Sequence, residues 1–373
     1  MKLECTRDNL RRAVTATERV TGKNLPLQVL SSIIVSVGNN ELSLQATNLD
    51  IGINYTIPAR VENNGVCAIP GSVLLGFIQN INRDTKIQLE LVGTTVSIRT
   101  DHNAAVLKTV PIDDFPQIKE LSANESVATF VINSDYLCES LKAVSYASAL
   151  SDIKPEIASV NIKSTGDSLV FTTTDSFRLA EKKFPHKKLK VLPKDDFSAL
   201  LPIKNVNDIV RIFSEIKELV EVRIGKNQTS FISKEITLTT RLVGGVFPDL
   251  TQVFPTKSLT EVVLDKNEFT ESLKMSSVFS DKFNRVQMRV VPSEGVFEIS
   301  AKTGEAGENT SMLDGAISGE EVEMNFNARY ILDVFNAVSG PKIGLYFSGK
   351  DRPVLMRDEE DASFSYLLMP LHS

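Results

Sequence analysis

The chain has 373 residues, enough for two or three domains, and its 42% apolar and 24% charged residues allow each domain an ordinary hydrophobic core. This composition excludes a disordered chain, and no apolar run approaches the roughly 20 residues that a membrane-spanning helix needs. Because the first residues also lack the apolar segment of a secretory signal, we expect a cytoplasmic protein that does not contact membranes.

Charge and reactive side chains narrow the function further. A net charge of −6 disfavours a protein whose whole surface is covered by nucleic acid. A local basic surface can nevertheless coexist with an acidic exterior. The three cysteines and three histidines are scattered, so neither a disulfide framework nor a structural zinc site is expected. We therefore expect no metal and no cofactor.

One helix-start pattern recurs three times at nearly equal spacing. In each copy, capping-type residues precede apolar residues at helical spacing. Each copy continues with a hairpin of two alternating strands and then with a second helix. The helix-start patterns are Thr6–Val14, Asn133–Leu141 and Asp265–Leu273, and the second helices are predicted at Pro70–Ile81, Pro202–Phe213 and Asn327–Val338.

The repetition predicts three homologous α+β domains whose helices lie on one face of antiparallel sheets. Linkers are expected near Gln117–Glu125 and Leu250–Glu261. The predicted domains comprise residues 1–122, 123–253 and 254–373.

The first helix presents two chemically different faces. At about 100° per residue, one face collects four apolar residues and Thr17, its single polar member. Basic residues occupy the opposite face, which suits a helix that packs on a sheet and faces phosphate. The simpler alternative, that these charges only solvate an exposed surface, stays open because acidic residues are interspersed. The apolar residues are Leu10, Ala13, Val14 and Val20, and the phosphate-binding candidates are Arg12, Arg19, Lys23, Lys154, Lys204 and Arg211.

With three such repeats, the whole chain resembles the bacterial beta sliding clamp family, the beta subunit of DNA polymerase III. Each motif alone is weak, but their order and spacing together are specific. The residues that carry the resemblance are Leu25–Pro26, Val29–Leu30, Asp114–Pro116, Thr174–Ala180, Arg241–Asp249, Phe326–Asn327, Tyr330–Val334 and Met369–Leu371.

The resemblance implies three homologous clamp domains of the processivity fold, in a head-to-tail homodimeric ring with helices inside and antiparallel sheets outside. Such a ring encircles double-stranded DNA without sequence preference and has no catalytic activity. The implied partners are the DNA polymerase III catalytic subunit, the clamp loader, and other polymerases and repair factors that bind through short linear peptides.

The resemblance also implies a peptide-binding pocket on the second and third domains. An apolar floor with a few polar groups suits the capture of an extended peptide. The family usually has Gly-His where this chain has Ser176-Phe177, so we expect a bulkier, more apolar wall and a different preferred peptide. The matching residues are Ile157, Thr174, Ser176, Phe177, Arg178, Leu179, Pro248, Val253, Asn327, Tyr330, Leu367, Met369, Pro370 and Leu371.

The implied dimer interface departs from the family as well. Where relatives tend to have basic residues and a large apolar one, this chain has His102–Leu107 with the sequence HNAAVL. We therefore expect a dimer that dissociates more readily and depends less on salt. The interface candidates are Ala105 and Leu107 on one edge and Val278, Phe279 and Glu305 on the other.

Two other functions remain open from the residues alone. A peptide-binding adaptor would use the same pocket without encircling DNA. An enzyme would need paired acids, for which Asp50 and Asp175 are candidates because they follow strands that we interpret as equivalent. No Walker, GxSxG or HExxH motif supports an active site.

Overall fold

A computed structural model of the chain describes residues 1–22, 27–151, 153–193 and 195–371. Lys23, Leu25–Pro26, His372 and Ser373 lie outside the described residues. The chain divides into two compact units, each with two sheets. Unit one comprises Met1–Cys138, Leu189–Asp195 and Lys204–Leu242, and unit two comprises Glu139–Lys188, Asp196–Ile203 and Val243–Ser373.

The first repeat starts with a strand that leads directly into a helix. The predicted apolar face of this helix is confirmed as buried, and Thr17 is buried with it because its hydroxyl donates to the Ala13 carbonyl at 2.6 Å. The elements are β1 (Lys2–Thr6), α1 (Arg7–Arg19), β2 (Ser32–Gly38), β3 (Glu41–Thr47), β4 (Ile51–Pro58), β5 (Arg60–Asn63), β6 (Gly65–Pro70), α2 (Gly71–Gln79), β7 (Lys86–Val92), β8 (Thr95–Arg99) and β9 (Ala104–Lys108).

The second repeat again places a strand before each of its two helices. Its predicted hairpin is confirmed, since the first two strands after the first helix pair antiparallel. The elements are β10 (Ala128–Asn133), α3 (Ser134–Ser145), β11 (Ser159–Thr165), β12 (Ser168–Thr174), β13 (Arg178–Pro185), β14 (Ser198–Pro202), α4 (Ile203–Phe213), β15 (Leu219–Ile224), β16 (Gln228–Ile232) and β17 (Ile236–Arg241).

The third repeat has the same order but a shorter second helix. This helix ends at Val334 rather than at Val338, and residues 335–337 form a turn. The elements are β18 (Thr260–Asp265), α5 (Lys266–Ser277), β19 (Arg285–Val291), β20 (Val296–Thr303), β21 (Gly307–Leu313), β22 (Gly315–Gly319), β23 (Val322–Asn327), α6 (Ala328–Val334), β24 (Lys342–Phe347), β25 (Val354–Asp358) and β26 (Phe364–Leu368).

Antiparallel pairing joins strands of successive repeats. Unit one contains the sheets β5-β1-β7-β8-β9 and β10-β15-β16-β17-β4-β3-β2-β6. Unit two contains the sheets β14-β11-β12-β13-β26-β25-β24-β18-β22 and β21-β20-β19-β23. We call the β4–β17 pairing the first junction and the β13–β26 pairing the second junction. These two pairings bring residues that are far apart in sequence to neighbouring positions.

Aromatic side chains fill much of the core under the helices. Phe269 of α5 is fully buried and meets Phe297 and Phe335 edge to face, with ring centroids 5.9 and 5.4 Å away. Such contacts add to the apolar area that the helix buries. No helix in the described part of the chain combines the length and the apolar character needed to cross a membrane.

Candidate functional site

The turn that precedes β13 is held by its own side chains. Thr174 Oγ1 donates to the Arg178 carbonyl at 2.7 Å, and Asp175 Oδ1 accepts from the backbone N–H groups of Phe177 and Arg178 at 2.9 Å each. Ser176 has φ of 78°, the left-handed region that favours glycine. This Asx turn leaves the Phe177 side chain 60% exposed, as expected for a pocket wall.

Arg178 has a structural role next to this turn. Its side chain is only 9% exposed, and its guanidinium lies 2.9 Å from Asp175, 2.6 Å from Asp333 and 4.2 Å from the ring centroid of Tyr330. Burial alone would lower the pKa of Arg178, but Tyr366 and the two carboxylates outweigh burial and raise it. Arg178 therefore fixes the turn against α6 rather than offering a free charge to a ligand.

The second junction brings the predicted C-terminal residues to this turn. Leu179 pairs with Leu367 across β13 and β26, and the Met369 N–H donates to the Phe177 carbonyl at 2.9 Å. One step further, the Leu371 N–H donates to the Asn325 carbonyl at 2.7 Å. The strand pairing thus assembles Phe177, Leu179, Leu367 and Met369 at one place, although they come from two repeats.

The apolar floor includes residues that sequence reasoning missed. Leu179 and Leu367 are buried against a third leucine, and three half-buried side chains pack on this cluster. Two of the missed residues lie in the predicted linker, where apolar residues separated by four positions were the available signal. The missed residues are Leu250, Phe254, Tyr346 and Leu355 in the floor and Asp333 beside Arg178.

The remaining predicted pocket residues have individual structural roles. Asn327 caps α6, because its side chain accepts from the N–H groups of Arg329 and Tyr330 at 3.0 and 3.4 Å. The Tyr330 carbonyl accepts from the Tyr366 hydroxyl at 2.8 Å. Ile157 and Pro370 are buried, Leu371 is half-buried, and Pro248 and Val253 are exposed.

The interpretation of Asp50 and Asp175 as equivalent residues is wrong. In the turn before β4, the position of Asp175 is taken by Asn48, whose Oδ1 accepts from the N–H groups of Asp50 and Ile51 at 3.0 Å each. An amide oxygen and a carboxylate oxygen can both accept the hydrogen bonds that close this turn. Matching aspartate to aspartate therefore paired the wrong positions of the two turns. Asp50 lies two positions later and pairs with Lys204 at 2.7 Å.

Three predicted phosphate-binding arginines line one shallow depression in unit one. Arg12 and Arg19 come from α1 and Arg211 from α4, and the lining also includes Tyr55 and the acidic Glu215. Arg12 and Arg211 are exposed, and Arg12 also donates to Asn9 Oδ1 at 2.8 Å. The arrangement places three positive charges and one acidic side chain around one depression.

The other predicted basic residues do not join this depression. Lys154 is exposed in the segment between α3 and β11. Lys204 has its ammonium engaged by Asp50, so its charge is partly compensated within the chain. Lys23 lies outside the described residues.

The predicted interface residues lie on the edge strand β9, just after α5 and just before the edge strand β21. On the edge strand β9, Ala105 and Leu107 are half-buried. Val278 follows α5 and is 69% exposed, Phe279 is half-buried, and Glu305 is exposed in the turn before the edge strand β21. Both edges have unpaired backbone groups that could accept another strand.

A histidine–aspartate pair fixes the turn that enters β9. His102 Nδ1 lies 2.5 Å from Asp84 Oδ1, and the Asn103 side chain donates to Asp84 Oδ2 at 3.0 Å. The hydrogen bond from His102 lowers the pKa of Asp84 to about 2, and the same bond raises the pKa of His102. His102 is thus held by a partner within its own chain.

Comparison with known proteins identifies the family. The models described as DNA polymerase III beta subunit, N-terminal, central and C-terminal domain match residues 1–119, 131–249 and 251–372 in that order. The chain is similar to the beta sliding clamp of Bacillus subtilis, with 25% identity over 100% of both chains. It is also similar to the beta sliding clamp of Buchnera aphidicola, with 26% identity over 95% of this chain and 94% of the relative.

Solved structures share the fold over the whole chain. A sliding clamp from Pseudomonas aeruginosa bound to griselimycin superposes with a TM-score of 0.93 at 22% identity, covering 100% of both chains. The DNA polymerase III beta subunit from Thermotoga maritima gives 0.92 at 23% identity, covering 100% of this chain and 99% of that one. At these identities the likeness concerns the fold.

Proposed function

Because the chain belongs to the DNA polymerase III beta subunit family, we propose that it is a DNA sliding clamp, a non-enzymatic ring that closes around duplex DNA and confers processivity on the replicative polymerase. The observation that carries this proposal is the match of all three family domains, in order, over nearly the whole chain. Its proposed domains are residues 1–122, 123–253 and 254–373, and its place of action is the cytoplasm.

The DNA contact of this clamp is electrostatic and independent of sequence. Arg12, Arg19 and Arg211 support it, because three arginines share one depression on the surface of α1 and α4. Phosphate contacts of this kind hold a duplex loosely and allow movement along it. Lys23, Lys154 and Lys204 are further candidates in this proposal.

Partners bind at the second junction through short linear peptides. The exposed Phe177 ring supports contact with an aliphatic or aromatic anchor. The half-buried Met369 is hydrogen-bonded to Phe177 through the backbone, next to the buried Leu179–Leu367 pair. The polymerase III catalytic subunit, the clamp loader, and other polymerases and repair factors are the partners of this proposal. The large Phe177 ring favours peptides whose anchor is smaller than the family's usual one.

Two chains close the ring head to tail through β9 of one and β21 of the other. The exposed Val106 and Val278 support this pairing because both are apolar. Val106 lies on the edge strand β9, and Val278 follows α5, whose Ser276 donates to Asn309 of the edge strand β21. A mass of about 82 kDa in light scattering, twice the 41.1 kDa of one chain, is expected for the dimer. A monomer that persists at high concentration would contradict unaided closure.

Retention on circular DNA tests the clamp function directly. The chain, loaded by a clamp loader onto a nicked circle, should co-elute with the DNA in gel filtration and be released when a restriction enzyme linearises the circle. DNA circles without loader provide the control for simple electrostatic binding. Equal retention on linear and circular DNA would contradict encirclement, and peptide binding without any retention would instead support the adaptor.

A further inference from the structure

The first junction repeats the turn geometry of the second junction. In Thr47–Ile51 and Thr174–Arg178, the threonine hydroxyl donates to the carbonyl of the last residue at 2.8 and 2.7 Å. The middle residues, Leu49 and Ser176, both have φ of 78°. A non-glycine residue in this conformation costs free energy, so its occurrence in both turns indicates that the same backbone is imposed at both junctions.

The strand register is also the same at both junctions. Ile51 pairs with Thr240 in β4–β17 as Arg178 pairs with Leu368 in β13–β26. The Arg241 N–H then donates to the Asp50 carbonyl at 2.9 Å, the same distance at which the Met369 N–H donates to the Phe177 carbonyl. Arg241 therefore occupies at the first junction the place that Met369 occupies at the second.

A cavity of about 230 Å³ opens at this position of the first junction. Its floor differs from that of the second junction because Gly52 and Thr239 replace the paired leucines. Ile118 covers Gly52, since a Cβ on Gly52 would lie 2.9 Å from the Ile118 side chain. The lining that matters for binding is Leu49, Asp50, Pro116, Ile118, Thr240 and Arg241.

In the described part of the chain, some charged side chains around this first-junction cavity have ion-pair partners, and one does not. Asp50 is paired with Lys204 at 2.7 Å, and Lys119 is paired with Glu125 at 3.1 Å. Arg241 is exposed, and among the described residues its guanidinium forms no ion pair. An unpaired guanidinium beside two aliphatic side chains favours a ligand that carries both a carboxylate and an apolar group.

We propose that the first-junction cavity is a second peptide-binding site, which takes an extended segment with an acidic residue against Arg241 and an aliphatic neighbour against Leu49 and Ile118. That the ligand is a peptide rests on the function proposed for the second junction, whose backbone this cavity shares. The preference for an acidic residue rests on Arg241 itself. The cavity has room for one or two side chains, so a short segment suffices.

Fluorescence anisotropy with two labelled peptides tests this site on the full chain. The acidic probe is Ala-Leu-Asp-Leu-Ala-amide, and the neutral probe has Asn in place of Asp. Arg241→Met, which copies the residue of the second junction, should weaken the acidic probe about tenfold through loss of a charge-assisted contact. Arg60→Met, the same change at an exposed position on β5, should leave its affinity unchanged.

Comparison with Phe177→Ala separates this site from the second-junction pocket. An acidic probe that binds Arg241→Met as tightly as the parent chain, or that fails to bind the parent chain at about 1 mM, would overturn the inference. So would an acidic probe that depends on Phe177 and not on Arg241. A further outcome would separate the two proposals. If Phe177→Ala leaves the affinity for the neutral probe unchanged while Arg241→Met still weakens the acidic probe, the peptide-binding role of the second junction is contradicted and the first-junction site is supported.

Discussion

Lys182 carries a single charge that joins two repeats. Its side chain, on β13, is only 8% exposed, and its ammonium lies 3.0 Å from Glu139 and 2.6 Å from Asp361 in the turn between β25 and β26. Burial would lower the pKa of Lys182, but the two carboxylates raise it. A charge held in this way is costly to remove, because its partners keep their own charge after it is gone.

Lys182→Ala should therefore lower the free energy of unfolding by about 2 kcal/mol, less than for a fully buried pair because Glu139 is partly solvated. The neighbouring Lys183, 57% exposed and 3.3 Å from Glu181, supplies the matched control. Lys183→Ala should cost less than about 0.5 kcal/mol. Urea unfolding followed by circular dichroism measures both, and equal losses for the two variants would contradict this account.

At the scale of elements, the helix starts of the repeats differ in capping. Asp265 at the start of α5 accepts from the N–H groups of Asn267 and Glu268 at 2.8 and 3.0 Å, whereas Thr6 at the start of α1 makes no side-chain cap bond. Asp265→Ala should cost about 1 kcal/mol of unfolding free energy, and Thr6→Ala less than about 0.5 kcal/mol. Thermal unfolding of both variants checks this, and a larger loss for Thr6→Ala would refute it.

The spacing of apolar residues predicted the existence of the helices better than it predicted their ends. The predicted second helices reached Ile81 and Val338, but α2 ends at Gln79 and α6 at Val334. Both predicted end residues are nevertheless buried, at the turns that follow the helices. The spacing of apolar residues thus indicates which residues are buried, and buried residues continue beyond the last helical hydrogen bond.

The assembly of residues at the second junction could be predicted only through the resemblance to the family. Its turn is local, and the motif Thr174–Arg178 already indicates an Asx turn. Its floor depends on the pairing of β13 with β26, which no local pattern encodes. Leu250 and Phe254 were missed for a related reason, because a segment interpreted as a linker packs its apolar residues on that floor.

At the scale of the whole molecule, the two junctions share one backbone geometry but differ in their side chains. The second junction has the apolar residues Phe177, Leu179 and Met369, whereas the first has Asp50, Gly52 and Arg241 at the corresponding positions. Repetition therefore fixes the turn and the register, while the side chains at each position are free to diverge. The net charge of −6 likewise does not conflict with a cluster of three arginines on α1 and α4.

Closure of the proposed dimer should depend little on salt. On one edge Asp84 engages His102, and near the other Lys302 engages Glu308 at 2.6 Å, so the charges left to pair between chains include those of Arg99 and Lys108 on one side and of Glu305 on the other. Val106 and Val278, 68% and 69% exposed, are then the main contact groups.

The dissociation constant from light scattering should change less than about threefold between about 0.05 and 0.5 M NaCl. Val278→Asp should weaken the dimer by more than about tenfold, because it puts an unpaired charge into an apolar contact. Val127→Asp, the same change at an exposed residue before β10, should leave the dimer unchanged. A dissociation constant that rises steeply with salt, or a dimer indifferent to Val278→Asp, would mean that charges elsewhere close the ring.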